Sequence, residues 1–242
     1  MWKSRRRLNS CEIFMLYDKP KYRTMGDRGL LVELGDGISQ QINRKVRALF
    51  LGLDSQGLIG IKELVPSYRS LLIVYDPLML SLNKIKNTIS KILAELDQIQ
   101  IPAPKTVEIP VLYNDDCGPD LKWVADYHGM TPSDVIGLHT QPTYWVYMIG
   151  FTPGFPYMGE ILEALVTPRR ESPRTHVPRG SVGIAQKQTG IYPVESPGGW
   201  QIIGRTPVTL FNPESSPAAL LEMGDLVQFY AITEEEFDRC QL

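Results

Sequence analysis

Between Val166 and Pro213 six cations, Arg169, Arg170, Arg174, Arg179, Lys187 and Arg205, stand against two acids, Glu171 and Glu195, in a chain that is slightly acidic overall. A guanidinium fork holds a carboxylate or phosphate through parallel charged hydrogen bonds, each contributing about 1.5–3 kcal/mol when partly desolvated. The local surplus points to an anionic ligand or an acidic partner surface. The plainer reading of any single arginine is a solvated rim residue paired with an acid elsewhere in the fold.

Close by, GFTPGFPYMG (Gly150 to Gly159) sets glycines and prolines around Phe151, Phe155 and Tyr157. Such a loop is bent and its aromatic side chains have few places to turn, which suits the rim of a pocket or docking groove, or a tight turn packed on its own rings. QTGIYP (Gln188 to Pro193) and SPGGW (Ser196 to Trp200) add turns with flat faces and polar edges. They fit the same groove, or core aromatics at barrel corners. No lysine follows in a GxxxxGK[ST] pattern, so none of these is a phosphate loop.

His128, His139 and His176 lack metal-pair spacing, and HExxH is missing, so no metal site is expected. His139 ends a helix that leads into TYWVYMIG, which would place it near the mouth of the second domain, where a helix C-terminus favours the protonated ring; a plain capping role fits equally. Ser181 and Ser196 sit beside or near glycines without GxSxG, and no acid and histidine complete a triad.

Lys and Arg total 25 against 27 Asp and Glu, a net charge of -2 that offers no whole-chain attraction for nucleic acid or an anionic membrane. No apolar run approaches the roughly 20 residues a bilayer span requires. Cys11, Cys117 and Cys240 are odd in number and far apart, which argues against a disulfide framework and fits a reducing cytoplasm. At 242 residues and 43% hydrophobic, the chain can bury roughly 70% of its unfolded surface in one large or two small domains.

The elements that must position these residues follow from periodicity. Residues 29–34, 58–65 and 70–75 read as strands. Ile38, Ile42, Val46, Leu49, Phe50 and Leu53 recur at helical steps, as do Leu82, Ile85, Ile89, Ile92, Leu93 and Leu96 behind a Ser81 cap. The order βαββα predicts an α+β sandwich over residues 22–100, preceded by a flexible extension (1–21) with an arginine-rich start and followed by the stiff linker IPAPK (101–105). Residues 106–242 open with a strand, TVEIPVLY, then short helices over 121–127 and 132–138, the second with Thr131 as N-cap and Asp134 at its third position. From Tyr144 onward, short apolar runs punctuated by Gly and Pro predict a closed, barrel-like β-domain.

GDRGLLVELGD, VPSYRSLLIVYDP, VIGLH, YMIGFTPGFPYMGE and above all PRRESPRTHVPRGSVGIAQKQTGIYPVESPGGWQIIGRTPVTLF resemble the KipI family, which includes the B-type component of 5-oxoprolinase and the allophanate hydrolase subunit 1-like domains. The resemblance runs from Tyr22 to Tyr230. It implies an N-terminal α+β domain followed by a cyclophilin-like barrel. It also implies work in a complex: with a related C-like (KipA-like) protein and an A-like (LamB/YcsF-like) protein, an ATP-dependent 5-oxoprolinase that opens the lactam of 5-oxoproline to glutamate. ATP would belong to the assembled complex. The competing implications are a KipI-type inhibitor of a histidine kinase and an allophanate hydrolase or urea amidolyase-type component. The family's groove motif falls on His139, Phe151, Pro153, Gly154, Phe155, Arg174, Gly180, Ser181, Gln188, Tyr192, Trp200 and Arg205. No catalytic group is assigned beyond His139 as a candidate. Arg179 stands where the motif has a small residue, and Gln186-Lys187 replace a glycine-rich stretch, which predicts a bulkier and more cationic rim.

Overall fold

In the computed structural model, which describes residues 14–96, 99 and 101–240, the chain divides into two compact units, Met1–Ile99 and Gln100–Leu242. The first contains strands β1 (Leu16–Met25), β2 (Gly29–Gly35), β3 (Ile61–Pro66) and β4 (Ser70–Tyr75) and helices α1 (Gln40–Ser55) and α2 (Leu82–Ala94). The strands form one antiparallel sheet in the order β1-β2-β4-β3. Ser39 and Ser81 start the helices by accepting the backbone N–H groups of Ile42 and Lys84, which satisfies one orphan donor at each end. The apolar stripes meet the sheet's core face through Ile42, Val46 and Leu49 of α1, with Leu30, Val32, Leu71 and Ile73 beneath, all fully buried.

Strand β1 corrects the expected flexible extension. Residues 16–21 are not a loose tail but the first part of an edge strand, pairing Leu16 with Gly35 and Lys21 with Glu33 across a register shift. Its sequence, LYDKPKYRTM, is polar, largely exposed and broken by Pro20, so it carries no two-residue hydrophobic alternation. The arginine-rich start, with Cys11, lies outside the described residues.

The second unit is dominated by a seven-stranded sheet in the order β12-β9-β10-β7-β6-β13-β5. Its members are β5 (Thr106–Val111), β6 (Thr143–Ile149), β7 (Pro156–Gly159), β9 (Ser181–Ala185), β10 (Gln188–Ile191), β12 (Gln201–Arg205) and β13 (Leu226–Ala231). β13 and β5 run parallel; the other neighbours are antiparallel. The two edges then meet, because Leu112 and Arg205 exchange both backbone hydrogen bonds at 2.8 and 3.0 Å. This seam nearly closes the sheet into a barrel and removes its free edges. A bulge between Ile202 and Gly204 bends β12 at this point, and a Cβ on Gly204 would press on Val111 and the Leu112 carbonyl.

Helices α3 (Leu121–His128) and α4 (Pro132–Thr140) follow β5, and α5 (Glu234–Arg239) ends the unit. Thr131 and Asp134 form a reciprocal capping box at α4, with Pro132 inside the start. Ile109, Val111, Tyr144, Val146, Met158, Val182, Ile184, Ile203, Val227 and Phe229 fill the interior. A short ribbon, β8 (Arg174–Val177) with β11 (Ser196–Gly198), lies outside this sheet. Among the described residues no helix is long and apolar enough to cross a membrane.

Candidate functional site

A cleft of about 320 Å³ opens where three stretches of the second unit come together: the turn entering β7, the loop before β8, and the segment from Tyr192 through the β11–β12 turn. Phe155 is its centre. Its ring meets Tyr157, Tyr192, Trp200 and Phe151 edge-on, with centroids 4.8, 5.1, 5.5 and 5.7 Å away. Phe155, Tyr192 and Trp200 are buried, whereas Phe151 is 62% exposed and forms the outer lip. Edge-to-face contacts between aromatic quadrupoles fix ring orientation, so the walls are stiff before anything binds.

Local backbone chemistry holds the lip. Phe151 adopts φ +66°, a left-handed conformation that bulky residues avoid. It is held there by a tight turn in which the Thr152 N–H donates to the Gly150 carbonyl, the Phe155 N–H to the Thr152 carbonyl and the Gly150 N–H to the Phe155 carbonyl. Strain of this kind persists where surrounding structure over-determines it, and it concentrates at binding sites. On the far wall, a Cβ on Gly198 would collide with the Tyr192 hydroxyl, so only glycine lets the β11 backbone approach that ring.

One buried carboxylate fastens the outer wall. Asp120 accepts from both arms of Arg174 at 2.7 and 2.8 Å, from Arg170 at 2.9 Å and from the Ile202 backbone N–H at 2.7 Å. The Arg170 N–H in turn donates to the Gly199 carbonyl at 2.9 Å. Arg174 and Arg170 are thus both held on one carboxylate, which balances one of their two charges, while Arg169 lines the cleft and its charge acts on the Tyr157 and Tyr192 hydroxyls. Burial pushes the Tyr192 phenol up to about 12, against the opposing pull of the Trp200 backbone N–H, Arg169 and Arg174, so it stays neutral at neutral pH. Burial also raises Tyr157, with Arg169 opposing.

Of the residues expected to share one groove, all but His139 separate into three groups. Phe151, Phe155, Tyr192 and Trp200 line the cleft, and Pro153 and Gly154 (φ +82°) belong to its lip turn. Arg174 stands behind the wall on Asp120, while Gly180 and Ser181 brace Tyr192 from the backbone: the Gly180 N–H donates to the Tyr192 carbonyl, and the Tyr192 N–H to the Ser181 carbonyl. Gln188 starts β10, the strand leading to Tyr192, and pairs there with Ala185 and Gly159, and Arg205 lies at the barrel seam, where its charge reaches buried Cys117. Neither is among the residues that line the cleft.

His139 lies in the barrel interior, fully buried, rather than at a mouth. Thr189 donates its hydroxyl to the Gly183 carbonyl and so receives the His139 Nε2–H at 2.9 Å, leaving Nδ1 to accept the Tyr113 hydroxyl at 2.8 Å. The ring stacks on Phe229 with centroids 4.6 Å apart. Burial lowers its pKa to about 3, which overrides the helix C-terminus expected to favour the charged form. It is a neutral interior staple.

Pro197 and Gly199 line the cleft within the SPGGW turn expected there, Arg169 is one member of the arginine surplus that the sequence does not single out, and Asp120 and Pro173 have no counterpart among the expected residues. Asp120 gave no signal, since it makes no side-chain cap bond at α3 and its partners lie 50 and more residues downstream. Hollows of about 560 Å³ beside Tyr17 and Tyr22 and about 410 Å³ beside Phe50 and Leu58 are larger and also have lysines in their lining, but not the four rings packed edge-on around Phe155. Among the described residues no cluster of His, Cys, Asp and Glu could hold a metal ion.

Fold and cleft together define a nearly closed, mostly-β barrel with an aromatic cleft. The chain belongs to the family described as "Carboxyltransferase domain, subdomain C and D", whose pattern matches residues 20–221. It is 40% identical over 223 residues to a Bacillus subtilis (strain 168) protein named as the B subunit of 5-oxoprolinase, covering 88% of this chain and 93% of that one. It superposes on the crystal structure of TTHA0988 with a TM-score of 0.78 and 39% identity over 85% of its length, and spans 40% of that longer protein. The fold extends to the Kluyveromyces lactis urea carboxylase, at a TM-score of 0.71 and 24% identity, where 93% of this chain corresponds to 23% of that one.

Proposed function

We propose that this chain is the B-type subunit of an ATP-dependent 5-oxoprolinase, which adds water across the lactam C–N bond of 5-oxoproline to give glutamate. The observation that carries this reading is the end-to-end match to a protein named as that component, 40% identical over nearly the whole of both chains. The cleft supports it, since a stiff aromatic slot of about 320 Å³ with a cation at its edge suits a small ring acid. A nucleotide triphosphate needs several cations or a glycine-rich cradle followed by lysine, which this cleft lacks, so ATP belongs to surfaces supplied by the partner proteins of the assembly. An α+β sandwich for the first unit, a cyclophilin-like topology for the barrel, and A-like and C-like partner proteins in a cytoplasmic complex belong to the same reading.

Co-expression with the A-like and C-like proteins, followed by assay of glutamate release from 5-oxoproline with and without ATP, tests it. ATP-dependent release that disappears when this chain is omitted is the expected result. Release that persists without this chain would refute the reading.

A further inference from the structure

We propose that the aromatic cleft binds a small flat ring bearing a single carboxylate, and that Arg169 is the specificity residue that recognises the carboxylate. The inference rests on the 5-oxoprolinase reading for its choice of probe and on the cleft itself for its chemistry.

Charge is the first ground. Three arginines crowd this side of the barrel, but the one carboxylate of Asp120 holds the guanidinium groups of Arg170 and Arg174 at 2.7–2.9 Å, which commits those N–H groups to the wall. Arg169 has no acidic partner among the described residues, and it lines the cleft. A guanidinium left to meet a ligand beside an apolar slot selects a ring that carries a carboxylate over a neutral one.

Donor geometry is the second. Tyr192 lines the cleft with its hydroxyl against the backbone of Gly198, itself a lining residue, and Arg169 lines the same cleft. A guanidinium and a phenol O–H acting on one region make a carboxylate site with charge-assisted and neutral hydrogen bonds. Shape is the third: Phe155, Tyr192 and Trp200 meet edge-to-face, leaving flat surfaces against which a planar ring can lie. Extended ligands do not fit about 320 Å³ closed on two sides by rings.

Two measurements test this. In the active assembly, Arg169→Gln should raise KM for 5-oxoproline about 10- to 100-fold with kcat little changed, the signature of lost ground-state and transition-state binding alike. Arg179→Gln, which removes an equal charge outside the cleft lining, should leave KM unchanged. An unchanged KM in the Arg169 variant of an active assembly overturns the inference and leaves the 5-oxoprolinase reading standing. An assembly inactive toward 5-oxoproline refutes the 5-oxoprolinase reading instead. The chain alone, titrated calorimetrically with 5-oxoproline and with 2-pyrrolidone, then decides the inference separately. Preference for the carboxylate-bearing lactam that is lost in Arg169→Gln supports it; equal binding of the two, no binding of either, or preference for a proline-containing peptide overturns it.

Discussion

Removing the Asp120 carboxylate should loosen the cleft wall and the barrel together. The side chain is 4% exposed and receives four hydrogen bonds at 2.7–2.9 Å, three from guanidinium groups and one from the Ile202 N–H. In Asp120→Ala the Ile202 N–H is left buried without that acceptor, a cost of about 1–3 kcal/mol, and two cations lose their counter-charge. Breaking a fully buried pair costs about 3–5 kcal/mol, but the Arg174 and Arg170 side chains remain 24% and 34% exposed, so water replaces part of what is lost. A net destabilisation of about 2–4 kcal/mol follows, which for a domain of this size lowers Tm by roughly 5–15 °C. Thermal and urea melts of Asp120→Ala, Arg174→Met and the double variant measure it. The double variant should be less destabilised than the sum of the singles by about 1–3 kcal/mol, because the second substitution removes the charge that the first leaves unpaired. Because the network is mostly buried, 1 M salt should change the coupling little. A Tm within about 2 °C of wild type, or additivity within about 0.5 kcal/mol, would show that the carboxylate does not hold this wall.

Acid should destabilise the barrel through His139, whose folded pKa of about 3 lies below the ordinary 6.5: the unfolded chain binds the extra proton between these values, so stability is complete above about pH 6.5 and declines as pH falls toward 3, by about 1.4 kcal/mol per unit. Urea midpoints from pH 7.5 to 4 should show a steeper decline in wild type than in His139→Gln; equal slopes would contradict the buried, neutral ring. Gly198→Ala forces a methyl group onto the Tyr192 hydroxyl and should cost about 1–3 kcal/mol while abolishing ligand binding to the cleft, and a variant that melts and binds like wild type would mean the β11 backbone has room to retreat.

What could be read from the sequence tracks how local each cause is. Helices α1 and α2 follow from three- and four-residue spacing and a serine at each start, and the capping box of α4 is written within four residues. The aromatic lip was visible for the same reason, since glycine and proline around Phe151 and Phe155 dictate a turn wherever they occur. β1 was hidden because an exposed edge strand has no buried face to impress a pattern on its residues. His139 was misplaced because its environment is made by Tyr113, Thr189 and Phe229, which only the wrapped sheet brings together.

The arginines show the same limit in its sharpest form. Arg169, Arg170 and Arg174 are near neighbours of one residue type, and nothing local separates the one that faces the cleft from the two that face Asp120. Their division depends on α3 beginning where β12 passes, so that the Asp120 N–H bonds the Ile202 carbonyl and its carboxylate bonds the Ile202 N–H. Arg205, the most distant member of the surplus, is set apart by barrel closure, since its backbone makes the seam with Leu112. Of the six cations, Arg170 and Arg174 thus fasten the wall, Arg205 sits at the seam and Arg169 lines the cleft. Spacing alone suits a carboxylate, a phosphate or an acidic partner surface alike; the fold sets Arg169, and none of the other five cations, among the residues that line the cleft.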